Sequence, residues 1–428
     1  MTASRESLID ATTDALQRLT GDAPAWRWFV PGRVEIVGKH TDYAGGRSLV
    51  AAVSRGFVVA AAPRADGIVR VVDARAGERV ELSPDDETAE LTGWRRYIGV
   101  VARRLARNFP GAPLGADIAL ASDLPRAAGV SSSSALVVGV ATALVRRGRL
   151  DERAEWRAAI ATPLDLAGYL GAVESGLTFG ALAGTAGVGI HGGSEDHTAI
   201  LTSRADMVSA YAYVPVRHLA SETMPPDWRF VIMTSGVHAA KAGRTRDQYN
   251  RASNATRALA ALGAPDERGA PRTLAGMLAS APGAEAWLRE RLVDGSANPT
   301  DAAWLARRLD HFIREDARVL PAAVAFRGGD AAALGELSRA SQEDADVLLG
   351  NQVEETRRLA ALARAGGAFA ASSFGAGFGG SVWALVHAGD ADAFLDRWRR
   401  AFVSAFPARR GADGFVTRPA AGLTDLAS

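Results

Sequence analysis

The 428-residue chain contains no cysteine. That excludes a disulfide framework, thiol catalysis and thiolate metal sites, and it fits a reducing compartment. It also lacks an excess of either charge: 49 basic and 48 acidic residues leave a formal net charge of +1, with the signs interspersed. There is thus no electrostatic footprint for nucleic acid or an anionic membrane, and any bound anion must be met locally. Long apolar runs are missing too. The most apolar stretch, 129–145, is interrupted by four consecutive serines and is shorter than the roughly 20 residues a membrane span needs, so a buried helix is expected. The first twenty residues place Arg5, Glu6, Asp10, Asp14 and Arg18 at helical spacing without the apolar core of a signal peptide, and the expected location is the cytoplasm. Internal repeats, low-complexity tracts and long linkers are absent, so the parts of the chain should share an interface.

What is present suits a folded enzyme. With 48% hydrophobic and 23% charged residues the chain should fold fully, and its length favours two domains with a cleft between them. Residues 1–20 read as an amphipathic helix and Trp26 to Val37 as a strand. Short apolar runs at Leu49–Val53, Gly56–Ala62 and Ile68–Asp73 read as a sheet region. The segment Trp94–Phe109 sets Trp94, Tyr97, Ile98, Val101 and Leu105 on one helical stripe, which suits a plain surface helix equally well. Beyond it come a strand at 115–125, a strand at 230–234, a polar helix at 244–262, a mostly helical stretch at 301–363, a glycine-rich hairpin at 374–386 and a helix at 390–406.

Three stretches carry chemistry. "PGRVEIVGKHTDYAGG", 31–46, gathers Arg33, Glu35, Lys39, His40 and Asp42 among glycines, as though a small polar ligand is held there. "LPRAAGVSSSSALVVGV", 124–140, runs from small residues through hydroxyls into an apolar helix. The unpaired N–H groups and positive dipole end of such a helix favour phosphate oxygens, and serine hydroxyls can ligate Mg²⁺; a serine cap on a core helix is the plainer alternative. "SSFGAGFGGSVWALV", 372–386, suggests backbone pressed against a ligand, or simply a tight hairpin. Near "GGSEDH", His191 and His197 have no third ligand at recognisable spacing, so zinc is not expected.

Together, in this order, these motifs resemble those of the GHMP small-molecule kinases, and the first resembles the galactokinase version most closely. "WRRYIGVV" (94–101), "GGSEDH" (192–197), "YNRAS" (249–253) and "FVTRPAAG" (415–422) resemble further family segments, so the similarity spans nearly the whole chain. It implies an α+β fold of two domains, here 1–205 with mixed β/α layers and 206–428 rich in helices with an antiparallel sheet, and an active site in the seam. It implies ATP and Mg²⁺, a small-molecule sugar substrate phosphorylated at its anomeric hydroxyl, and a monomer. Asp196 matches the catalytic aspartate and Arg33 the arginine beside it, which favours the carboxylate form. Lys39, His40, Asp42, Gly193 and Tyr249 match sugar-site positions. Trp94, Gly129, Val130, Ser131, Ser132, Ser133, Ser134 and Gly377 match ATP-site positions. Glu174 matches the Mg²⁺-ligating glutamate, with Ser132 or Ser133 as its hydroxyl partner, and Glu195 is expected on the other face.

The sequence departs from galactokinases at several points. Glu35 replaces an asparagine and Lys39 the glutamate that meets the C6 hydroxyl. The lysine could donate to that hydroxyl, pair with a C6 carboxylate as in galacturonate, or turn away towards Glu35. Ala127 and Ala128 replace phosphate-loop glycines, His197 replaces a glutamine, and a glycine-rich insertion between Glu174 and Asp196 could serve as a lid or alter specificity. The leading expectation is a kinase for galactose or a close relative. The alternatives are a galacturonate 1-kinase, a non-catalytic sugar and ATP sensor, and a kinase for a non-sugar alcohol, against which "HTDY" argues.

Overall fold

The computed structural model describes residues 4–426 except 87, 89, 126–128, 238–242, 266–271 and 295–298. Ala127 and Ala128, noted above as departures, therefore lie outside the described residues. The described residues form twelve strands: β1 (Trp26–Val37), β2 (Arg47–Pro63), β3 (Val69–Asp73), β4 (Arg79–Leu82), β5 (Ala116–Ser122), β6 (Met207–Ala212), β7 (Arg217–Thr223), β8 (Trp228–Thr234), β9 (Ala370–Phe374), β10 (Ser381–His387), β11 (Gly414–Thr417) and β12 (Thr424–Asp425). They make an eight-stranded sheet, β12-β1-β2-β5-β3-β4 with β6 and β7 branching from β2, and a four-stranded antiparallel sheet, β11-β8-β10-β9.

Strand β1 is nearly all buried, so Arg33 and Glu35 are buried among its apolar residues and must find partners inside the protein. Pro31 cannot donate to a ladder, and the register with β2 slips between Pro31 and Arg33 and again between Glu35 and Val37. Such bulges bend a strand and re-aim its side chains. Arg33 and Glu35, two residues apart, both end up facing the seam.

The two apolar runs expected at 49–53 and 56–62 are one strand, β2. Ser54 is exposed and Arg55 half-buried, its guanidinium lying 4.2 Å over the Phe415 ring; this polar interruption meets a partner on the rim and leaves the backbone extended. The first layer also extends beyond residue 205, because β6 and β7 pair into its sheet and the C-terminal β12 returns to β1.

In the second sheet, Trp228, Phe230 and Ile232 join one core, with Phe230 and Trp228 against Phe326 of the helix Pro299–Gly328. Val231 and Met233 point the opposite way, into a core with Phe394 and Trp398 of the helix Ala391–Ala405. Burial of both faces explains an unbroken apolar run. The helix Ser132–Gly148 packs on β1 and β2, which presents its N-terminus to the seam. Among the described residues no helix is long and apolar enough to cross a membrane.

Candidate active site

The seam holds a cavity of about 450 Å³, within the range of small-ligand sites. Residues from distant parts of the chain line it: Arg33, Glu35, His40, Asp42, Gly129, Ser131 to Ser134, Glu174, Gly192 to Gly193, Glu195 to His197, Tyr249 and Gly375 to Ala376.

Arg33 organises one wall. It is 4% exposed, donates from Nε to Asp196 Oδ1 at 2.7 Å and from Nη1 to the Gly129 carbonyl at 2.5 Å, and has Glu195 Oε1 3.7 Å from Nε. Burial pulls its pKa down, but Asp196, Glu195 and Glu35 more than offset this, so the guanidinium stays charged. The Ser134 hydroxyl lies 3.2 Å from Asp196 Oδ2 and 3.1 Å from Glu174 Oε2, bridging the two carboxylates. His197 Nε2 stands 3.1 Å from Glu174 Oε2 without hydrogen-bond alignment.

The helix that begins at Ser132 is preceded by Ser131 at φ +61°, a left-handed position unusual for serine, so the turn is sharp and the first helical N–H groups face the cavity side. Ser131 Oγ is buried and has no hydrogen-bond partner among the described residues. An orphaned hydroxyl at a helix N-terminus suits a phosphate oxygen. Ser132 and Ser133 also line the cavity, while Val130 does not: its side chain is in the core and its carbonyl accepts the Arg33 backbone N–H at 3.3 Å. Glu174 with these hydroxyls forms an oxygen donor set that fits Mg²⁺, an ion whose remaining ligands come from water and substrate phosphates.

On the opposite side, His40 sits at φ +59°. Its Nε2 is 3.1 Å from the Ala376 carbonyl, which can only accept, so Nε2 carries the proton and Nδ1 accepts from the Tyr43 hydroxyl at 2.9 Å. Tyr249 packs 4.9 Å from the His40 ring. Asp42 Oδ2 accepts the Glu195 N–H at 3.2 Å, and a Cβ at Gly193 would come within 2.3 Å of that oxygen. Glycine at 193 is what lets Asp42 occupy the wall. Arg308, fully buried on the long helix, donates to the His40 carbonyl at 2.5 Å and fixes this loop.

Besides Val130, two expected residues are elsewhere. Lys39 is 0% exposed and not in the lining. Its ammonium donates to Ser341 and, at 3.0 Å, to Ser372, and lies 3.7 Å from Glu315. It has turned away from the cavity, but towards Glu315 rather than into a simple pair with Glu35. Gly377 does not line the cavity either; a Cβ there would meet Asn351 Nδ2 at 2.4 Å, so close packing of Asn351 explains that glycine. Gly375 and Ala376 line the cavity instead.

Other lining residues had no assigned place. Trp94 was expected, but Phe57, Tyr97, Leu136 and Ile190 join it as apolar lining. Glu195 faces the cavity beside Arg33, not the far side, because the helix Glu195–Thr202 begins at the site with both acidic residues in its first turn. The insertion is tied down: Arg104 donates to the Leu177 and Leu182 carbonyls at 2.8 and 3.3 Å, and Val188 and Ile190 are buried.

Glu35 is 2% exposed, and its Oε2 accepts the Gly375 N–H at 2.6 Å. Burial pushes its pKa up to about 7, against the pull of Arg33 and Lys39. Since the folded value exceeds the ordinary value of 4.5, the ionisation penalty is absent below about pH 4.5, builds up as pH rises to about 7 and is constant beyond. Glu35→Gln should therefore unfold like the parent at about pH 4 and be more stable at about pH 8, by about 3 kcal/mol. Urea titrations at both pH values check this, and parallel pH profiles for the two proteins would contradict it.

Comparison with known proteins follows the same lines. Three family models match: the galactokinase galactose-binding signature over residues 15–63, the GHMP kinases N terminal domain over 96–167 and the GHMP kinases C terminal over 322–404. The galactokinase of Chloroflexus aurantiacus is 30% identical over 93% of this chain and 92% of its own, and that of Mycobacterium tuberculosis 31% identical over 88% and 93%. Among solved structures, Lactococcus lactis galactokinase complexed with galactose superposes with a TM-score of 0.75 at 22% identity, covering 97% of this chain and 98% of that one. Methanococcus jannaschii mevalonate kinase gives 0.57 at 13% identity, over 92% and 98%. These two structures share the fold.

Proposed function

The chain belongs to the galactokinase-like GHMP kinases, and from that membership we propose that it transfers the γ-phosphoryl group of ATP to the anomeric hydroxyl of galactose or a close relative, giving the sugar 1-phosphate. The observation that carries this reading is the contact chain Arg33–Asp196–Ser134–Glu174 across one cavity. A base, a cation and a candidate metal ligand are thereby held beside the serine-rich helix start.

On this reading Asp196 accepts the proton of the sugar's anomeric hydroxyl as that oxygen bonds to the γ-phosphorus and the bond to the bridging oxygen of ADP breaks. In a loose phosphoryl-transfer transition state the proton leaves late, so holding the hydroxyl in line matters as much as basicity. Arg33 fixes the Asp196 carboxylate through Oδ1 and leaves positive charge next to the transferring group. Asp42, with Gly193 cut back beside it, is the acceptor for sugar hydroxyls, and Tyr249 with His40 closes the ring-facing side. Glu174 and a hydroxyl from Ser132 or Ser133 would hold Mg²⁺, which when bound supplies charge neutralisation on the phosphates.

The direction of Lys39 weighs against a uronate. A C6 carboxylate would need a cation in the lining, and this ammonium is committed to Ser341, Ser372 and Glu315. The test is ADP release by the purified chain with Mg-ATP and either galactose, galacturonate or mevalonate. Turnover with galactose and formation of an acid-labile sugar 1-phosphate are expected. Nucleotide binding without turnover on any alcohol would instead mark the protein as a sensor.

A further inference from the structure

The cavity is short of positive charge. Glu35, Asp42, Glu195 and Asp196 all line it, and Arg33 is the one lysine or arginine among its described lining residues. Arg33 spends its hydrogen bonds on Asp196 and the Gly129 carbonyl, and its Nε lies 3.7 Å from Glu195 Oε1. Lys39 points into the protein behind, where its charge acts on Glu35 through the wall but its hydrogen bonds go to Ser341 and Ser372, beside Glu315.

Two of these carboxylates are left under-used. Glu35 gives Oε2 to the Gly375 N–H at 2.6 Å, and among the described residues no donor reaches its Oε1. Among the described residues no donor hydrogen-bonds to either oxygen of Glu195, whose nearest cation is Arg33, with Nε 3.7 Å from Oε1. Yet the two residues are 2% and 5% exposed, so little water solvates them. A desolvated carboxylate without donors is costly, and two near each other are costlier. Burial raises both pKa values, and the charge on Glu35 raises that of Glu195 further. A neutral hexose offers such a pair hydroxyl donors but no charge. An ammonium offers three donors and the missing positive charge, in bonds roughly twice as strong as neutral ones.

We propose that the sugar this site is built for carries a protonated amine, an aminohexose whose ammonium is met by Glu35 and Glu195, and that uronates are rejected. This rests on the sugar-kinase reading above and narrows its substrate class. Neither residue touches the reacting phosphoryl group in this account; both determine specificity.

The experiment measures kcat/KM from ADP release by the full chain with Mg-ATP at neutral pH. The sugars are D-galactose, D-galactosamine, 6-amino-6-deoxy-D-galactose, N-acetyl-D-galactosamine and D-galacturonate. At least one free amine should exceed galactose by about tenfold or more, and galacturonate should fall at least about tenfold below it. Acetylation, which removes the charge, should abolish the gain seen with D-galactosamine if that is the preferred amine. Glu35→Gln and Glu195→Gln should each reduce the amine-to-galactose ratio by about tenfold, and the carbon bearing the preferred amine identifies which part of the ring faces the pair. The unmodified chain alone decides the question if a variant folds poorly. Galactose turned over as well as both amines overturns the proposal and leaves the sugar kinase intact. No turnover on any sugar removes the kinase reading, and this proposal with it.

Discussion

Asp196→Asn should reduce kcat on the order of 10³-fold while leaving nucleotide affinity nearly unchanged. The substitution is isosteric. An amide oxygen can still accept from Arg33 Nε, now at 2.7 Å from Oδ1, and the Ser134 hydroxyl, 3.2 Å from Oδ2, can accept where it had donated. What is lost is the capacity to take a proton and the negative charge that Arg33 balances. Calorimetric titration with ATP and ADP-release kinetics separate binding from chemistry. A variant within tenfold of the parent kcat would remove Asp196 from proton transfer and leave it a positioning role beside Arg33.

Much of the scaffold around that aspartate is legible locally. The strand Trp26–Val37 and the helix starts at Trp94 and Ser132 follow from apolar runs, periodicity and small residues at the turn, all short-range signals. Where local reading failed, a distant partner decided. Ser54 and Arg55 break the apolar pattern of β2, yet the strand continues because Arg55 finds Phe415. Val130 belongs to a motif that suggests ligand contact, but its side chain completes the core, and only its backbone serves the site.

The site itself was legible only through family resemblance. Arg33 and Asp196 are 163 positions apart, and no spacing rule joins them. The same holds for Glu35, a departure from the galactokinase pattern whose partner, Gly375, lies 340 positions away. Gly377 shows the reverse error: glycine spacing suggested a ligand, while the occupant of the space is Asn351. Residue type says that backbone comes close to something; tertiary structure says what that something is.

Lys39→Glu should unfold the protein rather than change its substrate, for the same long-range reason. The ammonium is wholly buried, and the groups it meets, Glu315, Ser341 and Ser372, come from the far half of the chain. Glu315 Oε1 also accepts the Gly38 and Lys39 N–H groups at 2.9 and 3.2 Å, and Ser341 Oγ at 2.7 Å. Burial would raise the Glu315 pKa, but Lys39 first, with Arg318 and Ser341 assisting, holds it well below the usual carboxylate range. Removing one member of a buried pair costs about 3–5 kcal/mol, because the other charge remains desolvated. A glutamate adds repulsion from Glu315 and from Glu35, so the loss should exceed about 4 kcal/mol, a thousandfold in the folding equilibrium. Lys39→Met removes the charge without adding one; it should fold with a loss of about 3 kcal/mol, since Arg318 and two backbone N–H groups still serve Glu315. Urea unfolding of Lys39→Met and the soluble yield of Lys39→Glu report these effects. A fully stable Lys39→Glu protein with altered sugar preference would place the ammonium at the substrate after all.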